Sequence, residues 1–328
     1  MNRNYTQRMW IGALGMLLVF NSCASFGRGQ RNNEEPETEE QGMGYYQRQE
    51  KVSASDHPNG STQPKKRVLI LKFWNDTPVQ QEGIGDIAAS ELMALLEDSN
   101  RVILPSEDSK PMLKTEDFIQ GDKIRVAQLV AEGRKQGVTL VVIGRVARIS
   151  LRQKGDEVGL LRKQYTYAGA DLEIKLFDVQ VGREILATMK SGEVSDSALS
   201  ALQSKGLEDP HFRAELTAAA VRQASSGFVP EILKTLDKTI WQGHVAKVEG
   251  KSIFLNAGRA SGLIMGDILK VFGTGDDIYD PTTGAYLGRS QGHLKGTLEM
   301  RDFVGMDGGL AQIHTGGNVQ EGDLVQLY

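Results

Sequence analysis

Several residues in this 328-residue chain have types and spacings that could do chemistry, and each sets a different expectation. Cys23 is the only cysteine, so disulfides within the chain and cysteine-based zinc sites are excluded. Gly83-Ile84-Gly85-Asp86-Ile87-Ala88 fits G-x-G-x-x-A behind a strand. A dinucleotide site needs those glycines at the strand-to-helix turn itself. Here the stretch from Asn75 to Gly83 intervenes, so the motif reads as the start of an amphipathic helix. Asp276, Asp277 and Asp280 gather before Pro281. They could offer oxygens to a hard cation, but a solvated hairpin flank is the reading adopted. His57, His211, His244, His293 and His314 are scattered without ligand spacing, and neither H-E-x-x-H nor G-x-S-x-G occurs. No catalytic residue, metal or cofactor is therefore assigned, and the chain is read as non-enzymatic. Trp74 stands at a strand end beside Asn75-Asp76-Thr77, either as an interface plug or as an aromatic anchor for a partner. Asp280 and Tyr286, at a turn and strand near the tip of a hairpin, join it as candidate partner contacts.

These groups need elements to position them. Arg3 and Arg8 precede an apolar run, Trp10–Phe20, that ends just before Asn21-Ser22-Cys23. A charged start and a short apolar core make a secretory leader rather than a membrane span. Residues 24–64 are polar, with an acidic run from Glu34 to Glu40, and cannot bury a core. They read as a tether, reaching about 35 Å as a random coil and about 140 Å when fully extended. Charged residues make up 24% of the chain and the formal net charge is −4, which gives no sign of a nucleic-acid partner.

The first folded segment is expected over 65–240. Val68–Phe73 is a buried strand and Gly83–Asp98 an amphipathic helix. Arg101–Leu104 is a short strand, Asp122–Gln136 a helix capped by Asp122, and Val138–Ile149 a long strand. Tyr165–Asp178 and Arg183–Val194 are strands joined near Gly182, and a helical stretch runs from Phe212 to Lys238 with a break near Pro230. That order predicts an α/β sandwich with a mixed sheet. From Trp241 to Tyr328 strands shorten and glycines crowd the turns, which predicts a small all-β barrel or sandwich. The fold class is thus α+β. Gly266–Phe272 and Gly322–Tyr328 echo one another, each a Gly-Asp turn feeding a strand that ends on an aromatic.

The Ser22-Cys23 junction resembles the bacterial lipobox, although Phe20 and Asn21 stand where that family prefers Leu and a small residue. The resemblance implies cleavage before Cys23, a signal peptide over 1–22 and a lipid-bearing tether over 23–64. Several acyl chains on Cys23 would give stable attachment. Ala24 in place of Asp implies sorting to the outer membrane, on its periplasmic side. Residues 65–240, through VLILKF, the Asn-Asp-Thr turn, IGDIAASELMALLEDSNRVILP and VTLVVIGRVARI, resemble the CsgG-like curli-secretion-channel lipoproteins. Residues 241–328, through GHVAKVEGKSIFLNAG, GLIMGDILKVF, DPTTGAYLG and EGDLVQLY, resemble the C-terminal domain of the flagellar H-ring assembly protein T. Together they imply an accessory or scaffold of an envelope-spanning assembly, with protein partners and self-association. A tethered activator of a penicillin-binding protein is the alternative. A curli-type channel is disfavoured, because Arg152–Gln164 and Lys190–His211 are too charged or polar for lipid-facing strands.

Overall fold

The computed structural model describes residues 63–79, 83–105, 113–121, 123–155, 164–196 and 207–328. Cys23 and its flanking leader and tether lie outside these residues.

The first body is built on a mixed sheet ordered β3-β1-β6-β7-β8, where β1 is Lys66–Ile70, β3 Val102–Ile103, β6 Leu140–Gly155, β7 Gln164–Asp178 and β8 Arg183–Ser195. β1 runs parallel to β3 and β6, whereas β6, β7 and β8 form an antiparallel meander. A two-residue strand, β2 (Trp74–Asn75), pairs with β6 through Trp74↔Arg145. Alternation splits the sheet into two faces. Leu140, Val142, Val146, Ala168, Ala170, Leu172, Ile174 and Leu176 face α1 (Ile84–Asp98), α3 (Pro210–Ser226) and α4 (Val229–Lys238) in the main core. Val141, Ile143 and Phe177 face the other way, under α2 (Val126–Lys135) and a 3-10 turn at Thr115–Phe118. Helices on both faces make this a three-layer body.

Two predicted helices differ in detail. The helix expected from Asp122 begins at Val126, because Ile119–Gln120 (β4) and Lys123–Ile124 (β5) pair as a small hairpin. Arg125, not Asp122, occupies the N-cap position, and its backbone N–H donates to the Phe118 carbonyl at 2.8 Å. Asp122 itself lies outside the described residues. The stretch from Phe212 to Lys238 is two helices, parted at Gly227-Phe228. Phe228 is fully buried there, and Pro230 sits in the first turn of α4, where a missing N–H costs nothing. Asp209 caps α3 by accepting the His211 N–H at 3.0 Å. The G-x-G-x-x-A segment opens α1. A Cβ at Gly85 would stand 1.9 Å from the Phe73 carbonyl oxygen, so this glycine lets the helix touch the backbone between β1 and β2.

The second body is a closed six-stranded barrel ordered β10-β15-β14-β11-β16-β9, confirming the all-β expectation. Its strands are β9 Gly243–Glu249, β10 Ser252–Leu255, β11 Ile268–Phe272, β14 Leu294–Val304, β15 Gly308–Gly316 and β16 Leu324–Leu327. A side hairpin, β12 (Asp277–Tyr279) and β13 (Tyr286–Arg289), projects from it. The two echoing segments are structural equivalents: β11 and β16 pair antiparallel in the barrel wall, Val271 opposite Val325. Gly266 donates to Met300 and Met300 to Asp267; likewise Gly322 donates to Val245 and Val245 to Asp323. Each aspartate accepts an N–H three residues back, from Ile264 at 2.9 Å and from Gln320 at 2.7 Å.

The bodies are fastened together. The Trp241 indole, 2% exposed, donates to the Lys65 carbonyl, and the Lys65 N–H donates to Ser261. Arg67 reaches Asp307 at 2.8 Å, and Asp307 also accepts from Gly258 and Ser261. The side hairpin docks on the sheet body through a two-bond pair, Arg134 with Asp277 at 2.8 and 2.9 Å. Trp241 is therefore the plug between the bodies, and Trp74 has a different setting.

Candidate functional site

Trp74 is half-buried at one wall of a cavity of about 300 Å³ on the α2 side of the sheet. Its floor is apolar: Ile143 of β6, with Ile119 and Ile124 of the small hairpin. Its rim is charged: Asp76, Arg145, Glu173 and Lys175. This division follows from the sheet. Under α2 the outward positions of β6 and β7 are apolar; beyond the helix they turn polar, and the cavity lies at the border. Arg145 is held from both sides, by Asp76 at 3.1 Å and Glu173 at 2.7 Å. Asn75 fixes the loop that carries Asp76, donating to the Val79 carbonyl and accepting from Thr77. Thr115 closes the back, its hydroxyl accepting the Gly144 N–H.

From this cavity an open face continues along the hairpin. A register shift between Val146 and Arg148 puts Arg148, Ser150 and Arg152 on the exposed side of β6, next in line after Arg145. Each arginine meets a carboxylate across the sheet: Arg148 meets Asp171 at 2.6 Å and Arg152 meets Glu193. The Arg152 guanidinium also lies 5.8 Å from the Tyr167 ring centroid. Asp171 accepts the Ser191 hydroxyl at 2.6 Å. The Ser191 bond first, and then Arg148, holds the Asp171 carboxyl below its ordinary range. The result is a strand-borne lattice of guanidinium and carboxylate groups, fixed in direction by neighbours and open to solvent. Such groups suit a polar macromolecular surface. The aromatic cavity at its end offers a pocket for one inserted side chain.

The other residues named from sequence sit elsewhere. Asp280 accepts the N–H groups of Thr282 and Thr283 at 2.7 and 2.9 Å and so fixes the tip of the side hairpin. Those two bonds hold its carboxyl below the usual range. Tyr286 is half-buried between the bodies. A Cβ at Gly182 would stand 2.1 Å from its hydroxyl oxygen, so the β7–β8 turn carries glycine there. Asp277 pairs with Arg134 and accepts the Tyr286 hydroxyl at 3.4 Å. Asp277 and Asp280 thus turn to different partners, and among the described residues no cluster of three or more His, Cys, Asp or Glu side chains could hold a metal. No helix among them is long and apolar enough to cross a membrane. The structure does not bring Trp74 together with Asp280 or Tyr286. The arginine series on β6 escaped sequence reading. Its signal was present, since Arg145, Arg148 and Arg152 share one face only if a bulge intervenes, and a strict period of two hides it.

No family model matches the chain, and no curated protein matches it. Solved structures that resemble it include bacterial lipoproteins. One is a lipoprotein of Neisseria meningitidis, 12% identical, with 53% of this chain and 99% of that one covered and a TM-score of 0.28. Also similar, beside the lipoproteins, is the PelC dodecamer of Paraburkholderia phytofirmans, 15% identical, covering 53% and 88%, TM-score 0.28. A third is the LpoB C-terminal domain of Salmonella enterica, 14% identical, covering 39% and 83%, TM-score 0.25. Likenesses of this size transfer no activity or partner to this chain.

Proposed function

We propose that this protein is a non-enzymatic lipoprotein of the bacterial envelope, a scaffold through which one partner of a larger assembly is held. Cys23 carries the lipid, residues 1–22 are removed, and residues 23–64 tether the body from the periplasmic side of the outer membrane. The CsgG-like character of 65–240 and the flagellar-T-like character of 241–328 favour an envelope-spanning assembly, with self-association of the chain. One observation carries the binding role: the Trp74 cavity and the Arg148–Arg152 face form one continuous surface whose charged groups are already oriented on strands. A partner meeting it would lose little side-chain entropy at the interface.

Crosslinking in intact cells, followed by purification of the tagged protein, tests this reading. Proteins of an envelope assembly should be enriched, and enrichment should fall with Trp74→Ala plus Arg152→Glu and with Cys23→Ala. Enrichment of a single penicillin-binding protein would instead promote the tethered-activator reading, which the long tether favours. No enrichment above an untagged strain would overturn both.

A further inference from the structure

A second surface lies away from the Trp74 face. A groove of about 830 Å³ runs beside the outer edge of β8. Arg183, Glu184, Ile185 and Leu186 all line it. Leu186 packs on the main-core face and Glu184 meets Lys175 on the other face, so a cavity that touches both reaches the strand edge. β8 ends the strand order, and no further described strand pairs with it. The opposite wall is a single stripe of α4: Glu231, Lys234, Thr235 and Lys238, at helical spacing. The walls match in length. Arg183 to Leu186 covers about 10 Å of strand, and Glu231 to Lys238 about 10 Å of helix.

The charges in the groove are unequal once internal pairs are taken out. Glu231 bonds Lys190, Glu184 lies 3.6 Å from Lys175, and Asp178 accepts the N–H groups of Gln180 and Val181. Arg183, Lys234 and Lys238 are exposed and make no direct ion pair with another described residue, and at longer range Arg183 attracts Asp178 and Lys234 attracts Glu231. Val181 and Ile240 add exposed apolar surface at the ends, 39% and 55% accessible. A register shift between Leu176 and Phe177 leaves Ile185 bulged, so the edge takes a short segment and not a long flat strand.

The geometry points to a docking groove for a short, extended, acidic peptide segment of a partner protein, seated between the β8 edge and the α4 stripe. The edge offers main-chain hydrogen bonds, the three cations take carboxylates, and Val181 and Ile240 take apolar side chains between them. This groove shares no lining residue with the Trp74 cavity, and the one ion pair that joins them, Glu184 with Lys175, is left intact by changes at Lys234 and Lys238.

The test uses the full chain and a fluorescein-labelled peptide of about six residues, alternating glutamate and valine, with a lysine–valine peptide as control. A saturable anisotropy rise is expected for the acidic peptide alone. Lys234→Glu with Lys238→Glu, both exposed, should weaken it by at least about tenfold. Amides of residues 183–186 should exchange more slowly when the peptide is bound. Three results would overturn the proposal: no saturable rise, binding that the double variant leaves unchanged, or protection of amides elsewhere. Protection of 183–186 that grows with protein concentration in the absence of peptide would assign the groove to a second copy of the chain instead.

Discussion

Lys295 and Asp323 face one another inside the barrel wall, the ammonium 2.8 Å from both carboxylate oxygens, with side chains only 7% and 3% exposed. Asp323 is the aspartate of the second Gly-Asp turn, so the pair secures the turn that feeds β16. Removing one partner strands a buried charge. Lys295→Met should destabilise the protein by about 3–5 kcal/mol. Lys295→Met with Asp323→Asn should recover part of that loss, because the amide oxygen can still accept the Gln320 N–H. Urea unfolding midpoints measure both, and a loss equal in single and double variants would show that the charge is not the cause.

Gly85 has no room for a side chain against Phe73. Gly85→Ala must push α1 off the Phe73 backbone between β1 and β2, at an expected cost of about 1–3 kcal/mol. The thermal midpoint should drop accordingly. An unchanged midpoint would mean the helix is free to shift.

Lys66, on β1, is 5% exposed and donates to Gln63 at 3.0 Å. Burial lowers its pKa from 10.5 to about 8, partly opposed by Asp237 and assisted by Arg101. The unfolded chain therefore binds more protons between about pH 8 and 10.5, and Lys66 contributes a stability gain as pH rises through that window. Below about pH 8 the full penalty of the buried charge is present. Lys66→Met should be more stable than the parent at pH 7, by up to about 3 kcal/mol, with the difference shrinking as pH climbs. Parallel stability–pH curves for parent and variant would contradict this.

Arg134 and Asp277 join the side hairpin to α2 with two near-parallel bonds on partly exposed side chains. A double-mutant cycle to alanine should return a coupling of about 0.5–1 kcal/mol, reduced by salt. Zero coupling at low salt would remove the pair from the contacts that join the bodies.

Much of the architecture was legible because it is periodic. Tyr165–Asp178 reads as a strand, and its alternate residues from Ala168 to Leu176 fill the main core. The Gly-Asp echo announced two equivalent turns, and the strands they feed pair with one another. What stayed hidden depended on long-range partners. Ile119 to Ile124 look like a loop or a helix start until β4 and β5 are seen to pair. The charged face needed the bulge after Val146, which no local spacing marks. Tyr286 read as a partner contact at a hairpin, yet its hydroxyl end packs against Gly182, over a hundred residues away. Trp74 and Trp241 were indistinguishable by type, and only the Lys65 carbonyl separates their roles.

The junction at Lys65 has a mechanical consequence. Chain arriving from the N-terminal side enters β1 at the point where Ser261 and Trp241 of the barrel grip Lys65 from both sides of its peptide. β1 itself is flanked by parallel β3 and β6. A pull along that direction loads the sheet bonds in shear, many at once, rather than opening them one by one. Tension is also divided between sheet and barrel before the first strand can move, so the protein resists extraction from its N-terminal end more strongly than either body would alone.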